Sequence, residues 1–277
     1  MSKEDATAAA DAITAYDPDK VVGEAKPWQL GFQEAVTPVM QKIRGLHDHF
    51  VLYIITVIAV FVLCLLGYVC VRFRASANPT PRNFSHNTLI EVIWTAVPII
   101  VLVAIGVPSL RVHFAYDYNQ NIISHPDLTL KVVGHQWYWS YEYPDQGFGY
   151  DSNVTQDKDL KNGAPRLLTV DNPLVVPVGK VVKVQVTGAD VIHDWSVPAF
   201  GIKQDAVPGR LNEVWFKAEK EGIYYGQCDQ LCGKFHGFMP IEIHVVAPEV
   251  FAEWADAAKV KYASNGNVEF AALQQRK

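Results

Sequence analysis

The chain has 277 residues, 49% of them apolar, and a formal net charge of -5 at pH 7. Its length allows about two folding units, and mean hydropathy near zero suits a chain that is part membrane-embedded and part water-exposed. The acidic balance argues against nucleic acid as a partner, because phosphate binding needs a basic face. No Cys-x-x-Cys-His sequence occurs, which excludes an attached c-type haem domain of the usual kind.

The first stretch, residues 1–45, is rich in Ala, Asp and Glu and carries Pro27 and Pro38. It lacks the basic start and apolar centre of a signal peptide. It reads as an extension outside the membrane, a flexible lead with a short amphipathic turn near Trp28 to Val39.

Residues 46–112 read as a transmembrane hairpin. Phe50 to Val71 is uncharged and rich in Val, Ile and Leu, long enough to cross a hydrocarbon core of about 30 Å. A second run, Leu89 to Leu110, contains Glu91, Pro98 and Pro108, and membrane helices tolerate such prolines when neighbours satisfy the freed backbone. The connection carries Arg72, Arg74 and Arg82 with no acidic residue before Glu91, so it faces the cytoplasm and both termini face outside. Cys64 and Cys70 lie six apart in the first run and read as packing or lipid-facing residues without chemistry. Glu91, near the cytoplasmic end of the second span, is a functional candidate because an ionisable group in a span is costly.

After Arg111 the period changes to two. Leu128, Leu130 and Val132 alternate with polar residues, as do Val182, Val184 and Val186, and Ile241, Ile243 and Val245, which predicts half-buried strands. Turn signals at Asp171-Asn172-Pro173, Val178-Gly179-Lys180, Pro208-Gly209 and Glu221-Gly222 complete an antiparallel sandwich or Greek-key barrel. Asp145 to Ala164, with its glycines and aspartates, reads as a surface loop. Pro248 opens a helical period through Val250, Phe251, Trp254, Ala258 and Tyr262, followed by a loose tail within residues 248–277.

The chemistry concentrates between Tyr224 and Pro240. Cys228, Cys232, His236 and Met239 supply two thiolates, an imidazole and a thioether, a soft set that suits copper. Structural zinc is the commoner use of Cys and His, but a thioether is a poor zinc ligand. A Cys228–Cys232 disulfide is the plainer alternative. A mononuclear blue-copper site needs one Cys, so the second thiolate allows two metals bridged by both sulfurs. Each ion then needs one His and one weaker ligand, and His193, at the end of a β-like run before Trp195, is the best upstream candidate.

Together, Cys-x3-Cys-x3-His-x2-Met, Val191-Ile192-His193-Asp194-Trp195, Lys203-Gln204-Asp205-Ala206-Val207-Pro208-Gly209-Arg210 and the aromatic run from Gly134 to Tyr143 resemble cytochrome c oxidase subunit II. The resemblance covers roughly Leu46 to the helix after Pro248. It implies a two-helix transmembrane hairpin, an all-β cupredoxin-like Greek-key barrel over 113–247 and a short C-terminal helix. It implies dinuclear copper: one ion on His193 and Met239, the other on His236 and the Gln230 carbonyl, with Cys228 and Cys232 bridging. Trp137 becomes the ring through which electrons arrive from cytochrome c, although period two puts Trp139 on the same face and leaves the two competing. Glu91 lies, by resemblance, at the mouth of a proton pathway in subunit I, the partner that holds haem and copper B; subunit III is a further partner.

Gln230 stands where the family has Glu, whose side chain helps bind magnesium at the subunit I junction. The copper role of a carbonyl survives that change; a neutral amide weakens the magnesium assignment. Asp190, Asp145 and Asp171 are candidates for steering a basic cytochrome c, and Asp205 and Arg210 for an ion pair near subunit I. The resemblance implies residence in a bacterial inner membrane with the copper domain in the periplasm, or the mitochondrial equivalent. The alternatives are a membrane-anchored mononuclear copper carrier, a copper-free quinol oxidase subunit II, and the copper-pair domain of a nitrous oxide reductase, which the membrane hairpin disfavours.

Overall fold

A computed structural model describes residues 2–80, 83–114, 124–161 and 163–263. Arg82 of the basic connection and the tail predicted to be loose lie outside the described residues. Residues up to Gln41 form one compact unit with the β domain, and the helices from Lys42 form another.

In the helical unit, α3 (Leu52–Arg72) and α4 (Thr88–Val112) are the two predicted spans. The first is longer than its apolar run. Helix α2 (Pro38–Leu46) and a π turn (His47–Val51) lead into α3, making a continuous helix of 35 residues from Pro38 to Arg72. Asn87 caps α4 by accepting the Ile90 amide at 3.2 Å. Glu91 sits half-buried in its first turn.

The β domain is two packed sheets. One runs β4 (Phe148–Ser152), β3 (Tyr138–Tyr143), β2 (Leu128–His135), β6 (Val182–Gly188), β9 (Asn212–Phe216). The other runs β5 (Leu174–Pro177), β11 (Ile241–Val246), β10 (Gly222–Cys228), β7 (His193–Val197), β8 (Ile202–Ala206), with β1 (Val21–Gly23) added beside β10. Leu128, Leu130, Val132, Val182, Val184 and Val186 turn inward as their period requires, against Ile241, Ile243 and Val245. The sandwich is not purely antiparallel: β2–β6, β5–β11 and β1–β10 are parallel, because long crossovers, not hairpins, join those strands.

Further expectations are corrected. Within the predicted loop from Asp145, β4 forms a hairpin with β3; Gly147, at φ 75°, makes the turn, and Phe148, Tyr150 and Ser152 are buried in alternation. Strand β11 is buried on both faces: Glu242 and His244 are 2% and 4% exposed, and their side chains pair at 2.9 Å.

The N-terminal stretch is not a flexible lead. Helix α1 (Lys3–Ile13), capped by Ser2, packs on α5 (Pro248–Tyr262) and buries Ala6 and Ala10, and Lys261 reaches Asp11 at 2.7 Å. Further on, Thr37 Oγ1 donates to the Phe200 carbonyl at 2.7 Å, and backbone bonds link Val36 to Ala199 and Glu219. No amphipathic turn covers Trp28 to Val39. A turn stapled by Gln29, which bonds Lys26, Gly31 and Phe32, leaves Trp28 and Leu30 fully exposed.

Helix α5 lays Trp254 and Tyr262 on Tyr143, Phe148 and Tyr150, with ring centroids 4.5–6.4 Å apart.

Candidate metal centre

Strand register assembles the site. Cys228 pairs with Trp195 across β10 and β7, and antiparallel partners share a face. His193 lies two residues before Trp195 and points to that same face. The loop from Asp229 to Pro240 then folds back to bring Cys232, His236 and Met239 over the end of the sandwich.

The result is a compact donor set. The ligand atoms of His193, Cys228 and Cys232 lie within 4.8 Å of one another. The two sulfurs are free thiols 3.9 Å apart, so the disulfide alternative is not what this arrangement forms. Met239 Sδ is 3.6 Å from Cys232 Sγ, His236 Nδ1 is 3.5 Å from it, and the Gln230 carbonyl accepts from Cys228 Sγ at 3.3 Å. His193, Cys228, Cys232 and Met239 are buried, His236 is half-buried, and the Gln230 side chain is exposed.

One atom tests whether a metal fits. His193 Nδ1 is buried without a hydrogen-bond partner, whereas its Nε2 lies 2.8 Å from Asp190 Oδ1. A buried polar atom left bare is costly unless something binds it. Burial first, then the nearby Cys228, pushes the Cys232 thiol up to about 12, so it holds its proton at neutral pH until a metal displaces it.

The surroundings fix the donors. Trp139, fully buried, donates its Nε1–H to the Met239 carbonyl at 3.1 Å. Trp137 is not on that face: it sits in the Gln136–Trp137 turn between β2 and β3, outside the alternation, half-exposed. Its Nε1–H and the Gln136 side-chain amide both donate to the Cys232 carbonyl, at 3.3 and 2.8 Å. The structure thus separates the two competing rings, putting Trp139 in the core and Trp137 on the metal loop.

Gly134 lies within β2, and a glycine inside a strand is a signal of close approach. A Cβ there would meet the His193 ring at 2.8–2.9 Å. Asp205 stands opposite Asp194 across β7 and β8 and, among the described residues, makes no ion pair with Arg210, contrary to expectation. Burial, followed by hydrogen bonding to Asp205, raises Asp194 to about 7.

The expected steering carboxylates are engaged locally. Asp145 accepts the Thr129 amide, Asp171 the Asn153 amide, and Asp190 both His193 and two backbone amides. Burial alone would raise Asp190; the bonds from His193, Val191 and Gln136 outweigh it and hold the carboxyl below its usual range.

Residues 25–112 match the family model described as cytochrome c oxidase subunit II, transmembrane domain, and residues 128–246 match that of its periplasmic domain. The chain belongs to the cytochrome c oxidase subunit II family. A probable cytochrome c oxidase subunit 2 of Rickettsia bellii is 51% identical over 244 residues, covering 88% of each chain. Cytochrome c oxidase subunit 2 of Cereibacter sphaeroides is 46% identical over 258 residues, covering 87% of this chain and 84% of its own. The solved periplasmic domain of subunit II of cytochrome oxidase from Bradyrhizobium japonicum is 60% identical, covers 50% of this chain and 97% of its own, and superposes with a TM-score of 0.47. As a subunit II, the protein spans the inner membrane twice and carries its β domain on the periplasmic side.

Proposed function

We propose that this chain receives electrons from cytochrome c at a dinuclear copper centre and hands them to haem in the partner subunit I, where oxygen is reduced and protons are pumped. The observation that carries this is the pair of free thiols 3.9 Å apart, within reach of a buried, unpartnered His193 Nδ1 and the Met239 thioether. Cys228 and Cys232 would hold both copper ions, with His193 and Met239 serving one and His236 and the Gln230 carbonyl the other. When bound there, such a pair would supply one-electron chemistry with little change of geometry.

The chain's own residues do the rest. Strands β7 and β10 hold His193 and Cys228 in fixed register, Trp139 fixes the backbone of Met239, and burial restrains His193, Cys228, Cys232 and Met239. Trp137, half-exposed and bonded to the Cys232 carbonyl, is the ring at which electrons arrive. Glu91 serves a proton path in subunit I, and subunit III completes the assembly. We assign the Gln230 carbonyl to copper and no magnesium role to its amide.

The test is copper content and electron paramagnetic resonance on the full chain in detergent. Two coppers per chain with hyperfine structure from both nuclei are expected. One copper with a single-nucleus pattern would establish the mononuclear carrier, and no copper with oxidised cysteines the quinol oxidase form.

A further inference from the structure

We propose that Asp190 is a positioning residue: its carboxylate sets which nitrogen of His193 faces the sulfurs and ties that imidazole to the turn carrying Trp137. Its consequence for metal binding rests on the copper reading above; its effect on the imidazole does not.

Asp190 uses both oxygens. Oδ1 lies 2.8 Å from His193 Nε2 and accepts the Val191 amide at 2.6 Å, while Oδ2 accepts the Gln136 amide at 2.7 Å. An ionised carboxylate can only accept, so neutral His193 carries its proton on Nε2 and presents a lone pair at Nδ1. That Nδ1 is the buried atom without a partner. Gln136, held by its amide to Asp190, reaches the Cys232 carbonyl with its side chain, as its neighbour Trp137 does. One carboxylate therefore links an imidazole ligand, the turn bearing the surface indole, and through that turn a thiolate ligand. The same arrangement in which a carboxylate orients a metal-binding histidine through its far nitrogen sets ring orientation and basicity elsewhere.

Asp190→Asn separates the ties. An amide has one oxygen and one NH2. If the oxygen faces His193 and Val191, the NH2 meets the Gln136 N–H and the Trp137 turn is released. If the oxygen faces Gln136, the NH2 donates to Nε2 and moves the histidine proton to Nδ1, the metal-facing nitrogen. Asp190→Glu keeps two acceptor oxygens.

The full chain, labelled with 15N-histidine and kept metal-free in detergent, gives the first readout, with His193→Gln assigning the signal. Wild type is expected to show Nε2–H; Nδ1–H there overturns the proposal with no variant needed. Asp190→Asn is expected to shift the tautomer or alter Trp137 fluorescence, and to lower copper affinity about 10–100-fold. Asp190→Glu is expected to retain Nε2–H, and its loss in a folded Glu variant counts against the proposal.

An Asn variant that keeps the tautomer, the Trp137 emission and the two-nucleus hyperfine pattern, and changes only salt-dependent association with cytochrome c, overturns it in favour of surface steering. Failure of wild type to take two coppers would overturn the copper reading and leave the nitrogen readout standing.

Discussion

Gly134→Ala places one methyl group against the His193 imidazole, a proposed copper ligand. The new Cβ would lie 2.8 Å from His193 Cδ2, 2.9 Å from Cγ and 3.0 Å from Cβ, whereas non-bonded carbons settle at about 3.5–4.0 Å. The clash must be relieved by about 0.6 Å or more of movement. Strand β2 cannot supply it cheaply, because Gly134 is paired to Trp139 on one side and Gly188 on the other. His193 is fully buried, with the Trp139 ring edge-on at 5.9 Å, so its ring is driven toward the sulfurs. Metal–ligand distances tolerate about 0.2 Å. The substitution is expected to cost about 1–3 kcal/mol of metal-free stability through overpacking, and at least about tenfold in copper affinity, equivalent to about 1.4 kcal/mol. Denaturant unfolding with and without copper, alongside the hyperfine spectrum, measures both. An Ala variant with wild-type stability and an unchanged spectrum would refute the close approach on which the reasoning rests.

Copper uptake should strengthen about tenfold per pH unit on account of the Cys232 proton alone, whose pKa of about 12 keeps it bound across pH 6–8; competition titrations showing flat affinity would contradict this. Asp194, raised to about 7 against an ordinary 3.8, holds a proton more tightly folded than unfolded, so its contribution favours folding below about pH 4 and is lost as pH rises to 7. Asp194→Asn should then stabilise the metal-free chain at pH 8, by up to about 4 kcal/mol, and change little at pH 4; equal effects at both would exclude a raised carboxyl. Trp28, fully exposed at φ 61°, sits in a region unfavourable to side chains. Replacement by Gly should leave Tm unchanged or raise it by a few degrees, the strain relieved exceeding the added chain entropy by under about 1 kcal/mol. Glu242→Ala strips the buried His244 and the Val170 amide of their acceptor, and a loss of about 3–5 kcal/mol is expected in chemical unfolding; a loss below about 1 kcal/mol would mean water reaches the pair.

The soft donors were readable because four of them fall in twelve residues and their chemistry needs no fold to recognise. His193 was readable by its residue type and its place upstream, although it opens β7 and does not close a strand; the spans were readable because a bilayer demands long apolar runs. What escaped depends on pairing between distant parts. Alternation marks Glu242 and His244 as an outer face, and only the flanking segments that close over β11 make that face interior. Phe148 and Tyr150 carry a strand period, but the surrounding Gly and Asp residues speak louder in a local window. Trp137 and Trp139 share a face only if one strand runs through both, and Trp137 lies in the turn before β3 begins. Asp190 reads as a surface charge until Gln136 and His193 arrive on either side of it.

The site has two halves with different sources of rigidity. His193 and Cys228 lie at strand ends, and Met239 is fixed just before β11 through Trp139, so that half inherits its geometry from the sandwich core. Cys232, His236 and the Gln230 carbonyl belong to a loop whose Leu231, Phe235 and Phe238 are exposed, and which β7 and β8 tie down only at its start, where Asp229 bonds the Asp194 carbonyl and Lys203. Its anchor is the Cys232 carbonyl, which takes two hydrogen bonds from the β2–β3 turn. The proposed copper centre would therefore rely on Gln136 and Trp137 for much of its loop half. The indole at the surface is then part of what holds the sulfur as well as a route to it. Loss of Trp137 should accordingly broaden or shift the copper spectrum as well as slow electron transfer, whereas a ring serving only as a conduit would leave the spectrum untouched.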